Sequence, residues 1–223
     1  MIQPTAVFDL DGTIVDTAPD LVAGLNVALA LENLEPVNTH DLRSLVGGGV
    51  RVMLTRGLAL RGHSVGEERF AELSKAFLAH YELHIADHST IYPDVAEVLD
   101  ELSGNGFRVC VCTNKPERLA KLLLSTLQFD NRFEAICGAD TFTARKPDPI
   151  HLLGTIARAG GDPAKAVMIG DSITDLNAAR NASVPCILMD WGYTDIPASE
   201  LGADTVLSRF SEVPAAIERH LKR

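Results

Sequence analysis

Ala6-Val7-Phe8-Asp9-Leu10-Asp11-Gly12-Thr13 is an apolar run that ends abruptly in acid. Three consecutive strand formers breaking at Asp9 read as a buried β-strand that runs into a turn. Gly12 permits that turn to be tight. Two carboxylates two residues apart at the end of a buried strand admit two readings. One is an Asp-Gly turn followed by a helix cap. The other is a cation site, because adjacent acids in such a place are costly without positive charge nearby.

Outward from this run the chain changes rhythm twice. After Asp16 the apolar residues fall at helical spacing, first Leu21, Leu25, Ala28 and Leu29, then Leu54 and Leu58 beyond Gly47-Gly48-Gly49, then Phe70, Leu73, Phe77 and Tyr81. No convincing strand lies between Thr17 and His88, so residues 17–88 are expected to form a small helical domain inserted into a core made of 1–16 and 89–223. From Tyr92 onward helix and strand alternate. Asp94 and Glu97 are expected to open a helix by a capping box. Strands are expected at Phe107–Cys112, Phe133–Cys137, Ala166–Ile169, Cys186–Met189 and Thr205–Leu207, separated by helices around 119–127, 150–159 and 176–182. A last helix carries Phe210, Val213, Ile217 and Leu221. Such alternation predicts an α/β fold, a Rossmann-like parallel sheet covered on both faces. Its ligands belong beyond the carboxyl ends of the strands.

With 46% of its 223 residues apolar, the chain can bury a full core. Its net charge of −10 argues against nucleic acid and anionic membranes as partners. If the substrate is an anion, the positive charge it needs must be supplied locally. The four cysteines, Cys110, Cys112, Cys137 and Cys186, have no CxxC spacing and stand in apolar strand-like runs, so they are expected as buried thiols. Neither a signal peptide nor a membrane span is read, which gives a cytoplasmic protein, monomer or homodimer, as the expectation.

Three further groups of polar residues fall at or near expected strand ends. Thr113-Asn114 could hold a phosphate oxygen or cap a helix. Arg145-Lys146-Pro147 places a lysine beside a proline-fixed turn, where it could equally be a solvated charge. Gly170-Asp171-Ser172-Ile173-Thr174-Asp175 opens a helix, and Ser172, Thr174 or Asp175 suits its cap. Capping leaves Asp171, directly at the strand end, without a purpose. Asp9, Asp11 and Asp171 together offer hard oxygen ligands of the kind that suits Mg²⁺.

These groups resemble, in order and rough spacing, the four motifs of the haloacid-dehalogenase-like hydrolases. The likeness runs through essentially the whole chain, and the helical insert resembles that family's cap domain. The resemblance implies that Asp9 is a nucleophile forming an aspartyl-phosphate and Asp11 a general acid and base. It implies that Thr113, Asn114 and Lys146 bind the phosphoryl group, that Lys146 is also catalytic, and that Asp175 supports them from behind. Mg²⁺ would be held by Asp9, Asp171 and the Asp11 backbone carbonyl. Asp16-Thr17-Ala18-Pro19-Asp20, Val46 to Gly49, Gly138 to Thr141 and Arg145 to Pro149 are most similar to the bacterial phosphoglycolate phosphatase subfamily. The implied substrate is therefore a small phosphate monoester, 2-phosphoglycolate. Another sugar phosphate or nucleotide, or a β-phosphoglucomutase-like isomerisation, is the alternative. Such mutases carry a histidine where Leu21 stands, and a phosphonatase needs a cap lysine, whereas the first lysine of the insert is Lys75.

Substrate choice is expected to reside in the insert, at Gly48, Gly49 and the helix that follows. Glycines allow close backbone approach, and a helix N-terminus favours an anion. Those glycines also suit a plain link between two helices. At about 100° per residue Arg51 and Arg56 lie roughly 140° apart, so one of them at most is expected to face the substrate. Arg56 is the expected one.

Overall fold

The computed structural model describes residues 3–38 and 49–222. Strand β1, Thr5–Phe8, is buried at every position and sits inside a six-stranded sheet. Its neighbours are β4, Arg108–Cys112, and β6, Ala166–Gly170, both parallel to it. With β5, Ala135–Cys137, β7, Cys186–Met189, and β8, Thr205–Leu207, the order is β5-β4-β1-β6-β7-β8, parallel throughout.

Side-chain alternation along these strands divides the core into two layers. Ala6, Phe8, Val109, Val111, Val167, Ile169, Ile187 and Met189 face one side. There they meet α4, Val95–Gly104, α5, Glu117–Thr126, and α8, Val213–Leu221. Val7, Cys110, Cys112, Met168, Cys186 and Leu188 face the other. They meet α6, Pro149–Arg158, and α7, Ile173–Asn181. The four cysteines are free and buried, as expected for small apolar fillers. The chain leaves β1 toward β4 and leaves β6 toward β7, on opposite sides. The topological switch point therefore lies between β1 and β6, and a parallel sheet offers its ligand crevice there.

Between the ends of β1 and β4 lie the helices α1, Ala18–Ala30, α2, Val50–Leu60, and α3, Glu67–Leu83. They pack on one another through Leu25, Leu54 and Phe77, each fully buried. A feature without an apolar period joins them to the sheet. Strands β2, Val15–Asp16, and β3, Thr90–Ile91, form a short antiparallel pair where the chain passes out to the helices and back. Asp20 reinforces this junction. Its carboxylate accepts from the backbone N–H groups of His88 and Ser89 and from the Ser89 hydroxyl at 2.6–3.1 Å.

Two expectations change. Asp94 does not cap α4 through its side chain. It takes a left-handed conformation with φ 64°, which turns its carboxylate from the first turn. The capping box occurs instead at α7, between Ser172 and Asp175. Strand β5 starts at Ala135 rather than Phe133, after a single turn of 3₁₀ helix at Asp130–Arg132. The part of the Val46 to Gly49 loop before Gly49 lies outside the described residues.

The loop after β5 docks on the loop after β4. Ala139 N–H donates to the Lys115 carbonyl at 3.0 Å, and a Cβ on Gly138 would stand 2.1 Å from the Glu117 nitrogen. Gly138→Ala is therefore expected to cost about 1–3 kcal/mol, read as a lower urea midpoint with an unchanged slope. An unaltered midpoint would mean that this loop contact is not held in solution.

Candidate active site

The sheet brings the expected acids together at the switch point. Asp9 follows β1 directly, and its N–H still pairs with the Ile169 carbonyl at 2.9 Å, which fixes its backbone to β6. Asp171 follows β6. Gly12, at φ 81°, lets the β1 loop turn back beside it, since a Cβ there would stand 2.6 Å from Asp171 Oδ2. Carboxylate oxygens of Asp9, Asp171 and Asp175 all lie within 4.8 Å of one another.

Lys146 stands against this cluster. Its Nζ lies 2.6 Å from Asp175 Oδ1 and 2.9 Å from Asp9 Oδ1, with its side chain 1% exposed. Burial opposes its charge, but Asp175 and Asp9 more than offset this and hold the ammonium well above the usual lysine range. Asp175 is fully committed. Its Oδ1 takes Lys146, and its Oδ2 accepts from Asp171 N–H, Ser172 N–H and the Ser172 hydroxyl at 2.7–3.3 Å. Asp171 is held by the Thr13 hydroxyl at 2.9 Å and the Tyr193 N–H at 2.7 Å, one on each oxygen. Asp9 Oδ1 also accepts from Leu10 N–H at 2.7 Å.

One lysine does not balance three acids. Burial, then the charge of Asp175, raises Asp9 to about 7 against the pull of Lys146. The same causes push Asp171 well above the carboxylate range. Buried carboxylates in this state suit a hard divalent cation, and Asp9 and Asp171 retain lone pairs for it. Asp175 carries the most donors of the three, with Lys146 on Oδ1 and three donors on Oδ2.

Asp11 faces the other way. Both its oxygens contact Lys115 Nζ, at 2.8 and 3.0 Å, and Oδ1 also accepts from the Thr17 hydroxyl at 2.8 Å. Its side chain is thus outside the acidic cluster, leaving its backbone carbonyl as the group available for a cation role. Thr113 and Asn114 follow β4. The Asn114 side-chain amide donates to the Lys146 carbonyl at 2.9 Å, which ties the two loops together.

Asp9, Asp11, Thr113, Asn114, Lys115, Lys146, Asp171, Ser172 and Tyr193 border a cavity of about 540 Å³, roofed by Met53, Phe77 and Tyr81 of the helices. Gly49, Arg51 and Arg56 line it as well. Both arginines are engaged near its mouth, Arg51 with Glu67 at 2.6 Å and Arg56 with Asp195 at 3.1 Å. Gly48 lies outside the described residues. Sequence reasoning missed Lys115, although it directly follows Thr113-Asn114. It also missed Tyr193, whose loop carries no signal and whose hydroxyl donates to Asp16 at 2.6 Å.

Fold and site together define an α/β enzyme whose acidic centre lies at the carboxyl edge of a parallel sheet. The chain belongs to the haloacid dehalogenase-like hydrolase family, whose model matches residues 6–189. It is 48% identical over 219 residues to a phosphoglycolate phosphatase of Agrobacterium fabrum, covering 98% of this chain and 94% of that one. With a phosphoglycolate phosphatase of Caulobacter vibrioides it shares 47% over 212 residues, 95% and 90% of the two chains. A crystal structure of a predicted phosphoglycolate phosphatase from Haemophilus somnus superposes with a TM-score of 0.89 at 26% identity, over 96% and 97% of the chains. No described helix is long and apolar enough to cross a membrane.

The raised Asp9 value gives a signed prediction. The folded state keeps this proton up to about pH 7, whereas the ordinary value is 3.8. Without a cation, stability contributed by this group therefore falls as pH rises through that window. His151, lowered to about 4 by burial and then by Lys146, acts in the opposite direction. A divalent cation separates the two effects, because it competes with protons only at the acids. The rise in melting temperature on adding Mg²⁺ is expected to be larger at about pH 8 than at about pH 5.5. An equal rise at both would contradict a cation site at Asp9 and Asp171.

Proposed function

We propose that this chain is a Mg²⁺-dependent phosphatase that hydrolyses a small phosphate monoester, 2-phosphoglycolate, to glycolate and phosphate through an aspartyl-phosphate. One observation carries the reading. Asp9 stands at the switch point with Oδ1 fixed by Lys146 and Leu10, while Oδ2 makes no hydrogen bond among the described residues. A carboxylate oriented in this way is a ready nucleophile.

In the reaction Asp9 forms a bond to phosphorus as the bond to the ester oxygen breaks, and Asp11 gives its proton to that oxygen. Water then attacks the phosphorus, Asp11 takes the water's proton, and the bond to Asp9 breaks. Lys146, with the Thr113 hydroxyl and Asn114 N–H, binds the phosphoryl oxygens and balances their charge. Mg²⁺, held by Asp9, Asp171 and the Asp11 carbonyl, supplies further positive charge to nucleophile and phosphate when bound. Asp175 acts through Lys146 and the β6–α7 turn.

Residues 17–88 serve as the cap over a core formed by 1–16 and 89–223. The roof excludes water from the acyl-phosphate step. Gly49 allows the α2 end of this cap to approach the substrate, and Arg56, paired with Asp195 at the mouth, lends charge to the approach of any anionic ester rather than to one group of it. The names of the relatives favour 2-phosphoglycolate. Leu21 on the cavity wall offers no group for proton transfer, which disfavours a mutase.

Asp9→Asn is expected to abolish hydrolysis with the fold retained by circular dichroism. With p-nitrophenyl phosphate, Asp11→Asn should still be phosphorylated but should release phosphate slowly, so acid quench and intact-mass measurement should find a covalent adduct. An unmodified Asp11→Asn enzyme with full turnover would refute the acid–base role. EDTA should remove activity reversibly. Full turnover in chelated, metal-free buffer would refute the cation. A kcat/KM for 2-phosphoglycolate no higher than for hexose or nucleoside monophosphates would refute the substrate.

A further inference from the structure

We propose that Lys115 is the specificity-determining residue that reads the leaving group. It receives a carboxylate on the carbon adjacent to the departing oxygen, so the enzyme selects phosphate esters of short 2-hydroxy acids. This rests on the phosphatase reading above and deepens it.

Charge on the cavity wall is divided by depth. Lys146 serves Asp9, Asp175 and, in the reading above, the phosphoryl group common to every ester. Arg51 and Arg56 are ion-paired where side chains are 66% and 41% exposed. In such surroundings water screens a charge and weakens discrimination. The Lys115 side chain is 4% exposed and borders the same cavity. Its Nζ lies 2.8 Å from Asp11 Oδ1 and 4.7 Å from the centre of the Tyr81 ring. It is therefore a cation in a place where charge recognition is strong.

Its position fits one part of the substrate. Asp11 must touch the departing oxygen to protonate it, at ordinary hydrogen-bond length. Lys115 Nζ lies 2.8 Å from the same carboxylate. The ammonium is thus within two hydrogen-bond lengths, roughly 6 Å, of that oxygen. A carboxylate separated from the oxygen by one carbon spans this gap, and an uncharged alkyl group leaves it empty. The ammonium can share itself without releasing Asp11, because Thr17 holds Asp11 independently at 2.8 Å. The Tyr81 ring, 4.7 Å from Nζ, steadies the charge from the roof. Thr17 also holds Asp11, through a neutral hydroxyl. An ammonium costs more to bury than a hydroxyl, and a second anion to bind accounts for that cost.

The test compares kcat/KM for 2-phosphoglycolate and ethyl phosphate, with Mg²⁺, in wild type, Lys115→Met and Arg56→Gln. Wild type should prefer the carboxylated ester. Lys115→Met should reduce the ratio of the two values roughly 10- to 100-fold, the loss of one hydrogen bond to a charged group. Disturbance of Asp11 lowers both values and falls harder on ethyl phosphate, whose leaving group is the more basic, so it would raise this ratio and cannot mimic the expected loss. Arg56→Gln, a partly exposed change expected to fold, should keep the ratio within about 3-fold. A ratio unchanged in Lys115→Met would overturn the assignment and leave Lys115 as a positioning residue for Asp11. Collapse of the ratio in Arg56→Gln would also overturn it, even if Lys115→Met failed to fold, by placing recognition at the mouth. A wild type indifferent to the carboxylate would instead refute the substrate proposed above, and this role with it.

Discussion

The buried ammonium of Lys146 between Asp9 and Asp175 is the interaction on which the rest of this structure depends. It joins segments far apart in sequence, the end of β1, the turn before α6 and the first turn of α7. Removing charges from water costs several kcal/mol per ion, which close partners and further hydrogen bonds must offset. The structure meets that condition at Asp175, where Lys146, two backbone N–H groups and the Ser172 hydroxyl occupy the carboxylate. It leaves the condition unmet at Asp9 and Asp171, whose values are raised by burial and by Asp175. That imbalance is where binding energy is available. The stability spent on crowding acids at one sheet edge returns when positive charge and a phosphoryl group enter together.

The second lysine shows how the helices are tied to the same centre. Lys115 belongs to the loop after β4, yet it contacts Asp11 after β1 and Tyr81 in α3. At the other end of Asp11, Thr17 stands at the entrance to α1. The junction is braced by Asp20 against residues 88–89 and by Tyr193, which touches both Asp16 and the Ala18 N–H. A displacement of the helices is therefore felt at Asp11 through two side chains and two backbone passages. This gives the roof a physical route to Asp11 that does not depend on the rim arginines.

What was legible in the sequence follows from what leaves a period. Cys186–Met189 and Thr205–Leu207 have the bounds expected of them, because short runs of β-formers flanked by polar turns are unambiguous. The helices lying between β2 and β3 were legible from apolar spacing. Strands of two residues cannot show a period, so β2 and β3 were invisible, although they form the junction. Asp94 was misread because a capping pattern specifies residue types and not the backbone angle that decides whether the side chain reaches. In the site, residues at strand ends were found because topology puts strand ends together. Tyr193 reaches Asp171 from a loop after β7 through its backbone N–H, a contact any residue type could make, and no sequence pattern marks it.

An acidic protein that accepts an anion must keep its field local, and depth is how this one does so. Its net charge of −10 acts at long range, where salt damps it over about 8–10 Å. Inside the cavity a low dielectric makes the nearest charges decisive, and its buried cations are two lysines in different company. Lys146 is confined by Asp9 and Asp175 and has its place fixed before substrate arrives. Lys115 has one carboxylate partner, itself secured by Thr17, and an aromatic face on another side. The first arrangement suits a group common to every phosphate ester. The second leaves a donor to share with whatever group distinguishes one ester from another. In the proposed roles, the task common to all phosphate esters and the choice among them fall to two buried cations on one sheet edge, separated by which acids each must serve.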